Sequence, residues 1–197
     1  ALIALTLVYW SVVRANWLAV REDNPRVIEA ELRTRRGTIF DVNGDPLVES
    51  IGERRVERVY AEGSGAAVGY YSPRFGTLGV ERGLDILLSG ADENSADTFL
   101  RDIRHAPRIG RDVRLTINDH WQQQAADLLE GQKGGIVLLS LTDMSLRALA
   151  SAPTYDPNLL DEQFAELSGD VDAPLLNRPI LGPNTIAPAN PANPPRA

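Results

Sequence analysis

The stretch 35-RRGTIFDVNGDPLVES-50 holds two short runs, Thr38 to Val42 and Pro46 to Glu49, on either side of Asn43-Gly44. Asn-Gly between such runs is a strong hairpin signal, because both central residues of a type I′ turn need positive φ. A β-hairpin with that turn is expected here. The arginines at its head, Arg35 and Arg36, read either as contacts for lipid headgroups or a partner, or as surface charges at the hairpin base.

Upstream, ALIALTLVYWSVV runs thirteen residues without a charge and ends at Arg14, with Tyr9, Trp10 and Trp17 placed as an interfacial aromatic belt. A spanning helix needs roughly 20 apolar residues, so this run is short. With no initiator Met at Ala1, residues 1–20 are expected to be part of a transmembrane anchor helix; a signal peptide or a buried core helix are the alternatives. The run from Arg21 to Arg36 is charged and tolerant of helix, with a break at Pro25.

Downstream, residues 63–90 are rich in glycine. Gly63-Ser64-Gly65 begins like a dinucleotide fingerprint, but no buried strand precedes it and Val68 stands where a glycine belongs, so a loop is expected. A short helix over Glu81 to Leu88, ended by Gly90, follows. The clearest helix start is in 111-RDVRLTINDHWQQQAADLLEGQKGG-135. Thr116 or Asn118 can cap, Asp119 sits in the first turn, and Trp121, Ala125, Leu128 and Leu129 form one apolar face. The apolar runs GIVLLSL and SLRALAS, parted by Thr142-Asp143-Met144, predict a second hairpin, and a helix is expected near Leu159 to Leu167. From Gly182 the tail has five prolines and one large apolar side chain, Ile186; residues 182–197 are expected to be disordered.

Of 197 residues, 43% are hydrophobic and 24% charged, a globular balance. Net charge is −7, and residues 116–181 hold ten acidic against three basic side chains. With no basic face for phosphate backbones, nucleic acid is rejected as a partner. There is no cysteine, and His105 and His120 stand alone, so no metal or cofactor site is expected. Neither histidine lies near a Gly-x-Ser-x-Gly elbow, which leaves a serine triad without a base. The carboxylates of 156–172 read as a solvated helix face and loop, and Trp121 and Phe164 as core rather than ligand platform.

The ordering of these segments resembles the class B high-molecular-weight penicillin-binding proteins, membrane-anchored D,D-transpeptidases that cross-link bacterial peptidoglycan, and above all their shorter-pedestal actinobacterial versions. The first hairpin is similar to the family's Arg-Gly-x-Ile-x-Asp-x-x-Gly-x-x-Leu motif, carried by Arg36, Gly37, Ile39, Asp41, Gly44 and Leu47. Gly76, Gly79 and Glu81 match its Gly-x-x-Gly-x-Glu run. Leu115, Thr116, Ile117 and Gln122 resemble the opening of its transpeptidase domain. The segments around Asp156, Pro157 and Asn158, and around Asn177 and Arg178, resemble those leading up to its nucleophile. One departure is the hairpin turn at Ser140 to Met144, which replaces the family's Asp-Pro-x-Thr-Gly.

The resemblance implies an α+β chain: the anchor helix of 1–20, a β-rich, dimerisation-type pedestal domain over 21–114, and over 115–181 the incomplete start, helix plus β-hairpin, of a penicillin-binding transpeptidase domain. Its two strands would belong to a five-stranded sheet and leave an unpaired apolar edge. It also implies a single-pass protein of the bacterial cytoplasmic membrane with most of its chain outside, engaging the bilayer, a polytopic glycan polymerase and, given a full transpeptidase domain, peptidoglycan stem peptides. That chemistry needs a serine with a lysine one helical turn later. The one lysine is Lys133, and three residues before it stands Glu130. No catalytic residue is therefore expected, nor a penicillin adduct. Two readings follow: an N-terminal portion of a longer transpeptidase, cut short by truncation, a frameshift or a fragmentary assembly, or a tethered, inactive pedestal that binds partners.

Overall fold

The computed structural model describes residues 34–52, 56–91 and 108–182. The expected anchor helix, the charged run up to residue 33, His105 and the Pro-rich tail beyond Gly182 lie outside the described residues. Among the described residues no helix is long and apolar enough to cross a membrane.

The first hairpin forms, from β1 (Ile39–Phe40) and β2 (Pro46–Ile51), and β3 (Glu57–Tyr60) extends it. Far along the chain, β6 (Val113–Arg114) adds to β1 in parallel, giving the sheet order β3-β2-β1-β6. The register slips between Ile39 and Phe40. That irregularity lets two successive residues of β2, Leu47 and Val48, both be buried, against the period-2 rule. With Ile39, Tyr60, Val68, Leu88 and Ile117 they form the main apolar core.

The turn is not type I′. Gly44 has φ of 100°, but Asn43 is not at positive φ. Asp41 N–H donates to Asp45 O (2.8 Å), which closes a loop of three residues. The Asp41 side chain directs this outcome, its Oδ1 accepting from the N–H groups of residues 43, 44 and 45 (2.6, 2.8 and 2.9 Å). A type I turn followed by a left-handed glycine is the next commonest hairpin connection.

Residues 63–78, expected to be loop, instead fold into α1 (Gly65–Val68) and a hairpin of β4 (Gly69–Ser72) and β5 (Gly76–Leu78). The glycines there mark corners between short elements. The helix expected over 81–88 is two, α2 (Gly79–Gly83) and α3 (Asp85–Leu88), broken where Leu84 leaves helical geometry.

In the second block, α4 (Asp119–Leu128) is capped by Asn118, whose side chain accepts from Trp121 N. It covers one face of a hairpin made of β7 (Gly134–Leu139) and β8 (Leu146–Ala152). Ala125 and Leu129 pack on Ala148, Ala150 and Ala152, with Ile136 beside them. The apolar face of α4 is thus rotated from expectation: Trp121 and Leu128 are exposed and Gln122 points inward. Three small alanines on β8 bring the helix close, and the main-chain N–H and C=O of Leu149, in the middle of β8, draw a glutamine in. At the β7–β8 turn Asp143 accepts from Ser145 N (3.2 Å) and Ser145 Oγ (2.8 Å) and pairs with Arg147. This network is the turn chemistry that stands where the family's Asp-Pro-x-Thr-Gly is missing, and the hairpin forms as expected. A 3-10 turn (Pro157–Leu159), α5 (Leu160–Gly169) and α6 (Arg178–Leu181) complete an α+β fold. The outer edge of β7 has no strand neighbour among the described residues, and Val137, Leu139 and Leu141 beside it are exposed.

Candidate functional site

Glu81, at the head of α2, is fully buried and is reached by two arginines. Arg36 donates to Oε2 through Nε (3.2 Å) and Nη2 (2.8 Å), and Arg58 Nε donates to Oε1 (2.8 Å). Arg36 also reaches Asp85 (2.7 Å), and its guanidinium lies 4.2 Å from the centre of the Tyr71 ring. Arg58 Nη1 donates to Gly37 O (2.7 Å) and Ser50 Oγ (3.0 Å). Burial works against charge on Arg36, but Glu81 and Asp85 outweigh it and hold its pKa above the ordinary arginine value. Arg36 is therefore a buried structural cation, and both readings of it as a surface or headgroup-contacting charge are overturned. Gly37 follows it because the chains cross there: a Cβ would stand 1.8 Å from Arg111 O.

Asp41 forms a second polar centre. Burial pushes its carboxyl up, and hydrogen bonds from the main-chain N–H groups of Asp45, Asp119, Asn43 and Gly44 more than reverse this, so its pKa lies below the ordinary value. Asp119 goes the other way, raised by burial and then by the charge of Asp41.

The third group joins the chain before residue 115 to the chain after it. Gln122 is fully buried with its amide spent at both ends: Nε2 donates to Gly63 O and Leu149 O (2.9 Å each), and Oε1 accepts from Leu149 N (2.8 Å). Asn158 clamps the main chain of Tyr60, accepting from its N–H (2.9 Å) and donating to its carbonyl (3.1 Å). Asp156 holds Asn158 in place (2.9 Å). Pro157 opens the 3-10 turn between them. Asn177 Nδ2 donates to Ala66 O (2.8 Å). Thr116 Oγ1 donates to Leu146 O (2.7 Å), and Ser72 Oγ to Asp161 (2.5 Å).

Arg178 closes the described chain as a hub, donating to the carbonyls of Pro153, Ala173, Leu176 and Asp172. Asp172 in turn pairs with Lys133. These contacts fix α6 across the ends of β7 and β8. An open groove nearby is lined by Glu62, Asp127, Glu130, Lys133 and Asp172 and by the hydroxyl residues Ser151 and Thr154; the Ser151 hydroxyl donates to Leu176 O (3.0 Å) and accepts from Arg178 N–H (3.2 Å). No His, Cys, Asp and Glu cluster among the described residues has the makings of a metal site.

Of the residues read from sequence, Arg36 and Glu81 share the ion cluster, Asp41 and Gly44 the first turn, and Thr116, Gln122, Asn158, Asn177 and Arg178 hold main-chain groups. Arg58 and Tyr60 are absent from that reading; their signal is the i, i+2 spacing that puts a charge and an aromatic hydroxyl on one face of a strand.

No family model matches the chain. Peptidoglycan D,D-transpeptidase PbpA of Mycolicibacterium smegmatis is 33% identical over 189 residues, covering 86% of this chain and 38% of that protein. Peptidoglycan D,D-transpeptidase MrdA of Escherichia coli K12 is 30% identical over 148 residues, 68% of this chain and 23% of that one. Among solved structures, penicillin-binding protein A from M. tuberculosis in its imipenem acyl-enzyme complex superimposes with a TM-score of 0.65 at 30% identity, over 75% of this chain and 38% of that one. The chain spans well under half the length of the curated relatives it matches.

Proposed function

Because the chain belongs to the class B penicillin-binding proteins, the D,D-transpeptidase family of peptidoglycan synthesis, we propose that it serves as the platform of such an enzyme and not as its acylating centre. In this reading residues 21–114 are the pedestal and 115–181 the first part of a transpeptidase domain. The observation that carries it is how the family-like residues are used. Arg36, Glu81, Gln122, Asn158 and Arg178 spend their hydrogen bonds on neighbouring protein groups, several of them main-chain, while Asn177 donates through Nδ2 to Ala66 O and its buried Oδ1 has no partner.

The chemistry agrees. Acyl transfer to a penicillin or a stem peptide needs a hydroxyl activated by a neighbouring amine. The 197 residues contain no Ser-x-x-Lys, and Lys133 is spent on Asp172. What the platform supplies is position. Arg178 N–H holds the last described turn to Ser151 of β8 and Asn177 holds it to Ala66 of α1, so any chain that continues from α6 starts from a fixed point. The uncharged run at residues 1–13 anchors the platform in the cytoplasmic membrane by a single pass, with its bulk outside, and a polytopic glycan polymerase is its partner there.

Co-purification from detergent-solubilised membranes with the glycan polymerase of the same genome tests this reading. Recovery of the polymerase with the wild-type chain, and its loss on Glu81→Ala, is expected. A chain that is membrane-bound and folded yet brings no polymerase would overturn the proposed partnership.

A further inference from the structure

Tyr60 ends β3, an edge strand whose only strand neighbour among the described residues is β2. Its two ends face different partners. The ring is buried, and its hydroxyl accepts from Tyr71 N–H (2.8 Å) while donating to Glu81 Oε1 (3.4 Å). Its main-chain N–H and C=O, on the side a further strand would occupy, are taken by the single amide of Asn158. One residue therefore belongs both to the buried ion cluster of Arg36, Glu81 and Arg58 and to the contact that joins the chain after residue 115 to the first sheet.

We infer that Tyr60 is a positioning residue that couples the two, so that loosening the ion cluster loosens the Asn158 clamp, and the reverse. The physical basis is stiffness. A tyrosine has two side-chain torsions, and with its hydroxyl held at one end and its peptide at the other it transmits displacement instead of absorbing it. Burial, and then the negative charge of Glu81, push the phenol pKa far up, so the hydroxyl keeps its proton and both its contacts at any pH at which the chain folds. Asn158 is itself exposed and held by Asp156, so nothing but Tyr60 connects its amide directly to the cluster among the contacts described. The inference concerns how the platform is held together and stands whether or not that platform serves a transpeptidase.

Amide hydrogen exchange by NMR on the full chain in nanodiscs tests it, with Val113 N–H, bonded to Thr38 O in the same sheet, as internal reference. In Tyr60→Phe the Tyr60 amide should exchange about tenfold faster, the scale of one net hydrogen bond, with Val113 unchanged. Acceleration at Tyr71 alone would overturn the coupling. Coupling free energies are reciprocal, so Asn158→Ala should accelerate Tyr71 N–H, which Asn158 does not touch. An unchanged Tyr71 in that variant would equally overturn it, and this arm decides the matter alone should Tyr60→Phe fail to fold.

Discussion

At the scale of single residues, two carboxylates in one ion network differ in burial and in number of partners, and they should behave differently. Glu81 is fully buried between Arg36 and Arg58, while the Asp85 side chain is 47% exposed. Removing one partner of a buried pair strands its charge, so Glu81→Gln should cost about 3–5 kcal/mol. Asp85→Asn should cost under about 1 kcal/mol. Urea denaturation of the two variants checks this, and equal losses would contradict it. Asp41 gives a pH dependence. Its folded pKa lies below the ordinary value of 3.8 because four main-chain N–H groups outweigh burial. Its stabilising effect is therefore full above the unfolded value and is lost as pH falls through the folded one. Asp41→Asn should cost about 2 kcal/mol at neutral pH and flatten the loss of stability below about pH 4, read from urea midpoints across the acid range. The sequence made Asp41, Gly44 and Glu81 visible as motif positions. It left their environment unread, because the groups that surround each come from main chain or side chains 20 or more residues away, such as Arg58 for Glu81 and Asp119 for Asp41.

At the scale of elements, the α4–hairpin contact shows where pattern reading works and where it stops. Helix existence and both strands followed from period and caps alone, while of the two caps left open, Thr116 and Asn118, the structure uses Asn118. The face did not, because three alanines on β8 accept a close helix and let Gln122 in, while Trp121 stays half exposed at 49%. Period-3.6 reasoning ranks side chains by apolarity and has no term for a glutamine that satisfies the outer edge of a strand. Gln122→Leu leaves Gly63 O and both polar groups of Leu149 without their partner and should cost about 2–4 kcal/mol. Trp121→Gln should change stability by no more than about 0.5 kcal/mol. Thermal melts of both variants would reverse the assignment of the helix face if the ranking came out inverted. The short elements of 65–78 were illegible for a related reason: with glycine at each corner and runs of three or four residues, no period has room to develop.

At the scale of the whole molecule, the residues resembling a transpeptidase family turn out to be its means of assembly. Buried charges fasten the first hairpin, side-chain amides fasten the two halves, and Arg178 fastens the last turn. Family membership was legible in sequence because the matched residues are short local motifs, and their structural use was not, because each fastens groups far along the chain. Among the described residues the outer edge of β7 has no strand neighbour, and Val137 and Leu139 on that strand are exposed. The most direct test of a platform without an acylating centre is incubation of the folded chain with a fluorescent penicillin, followed by electrophoresis and intact-mass measurement. The account predicts no fluorescence and an unchanged mass of 21.5 kDa. A fluorescent band at that mass, carrying one covalent penicillin, would contradict it.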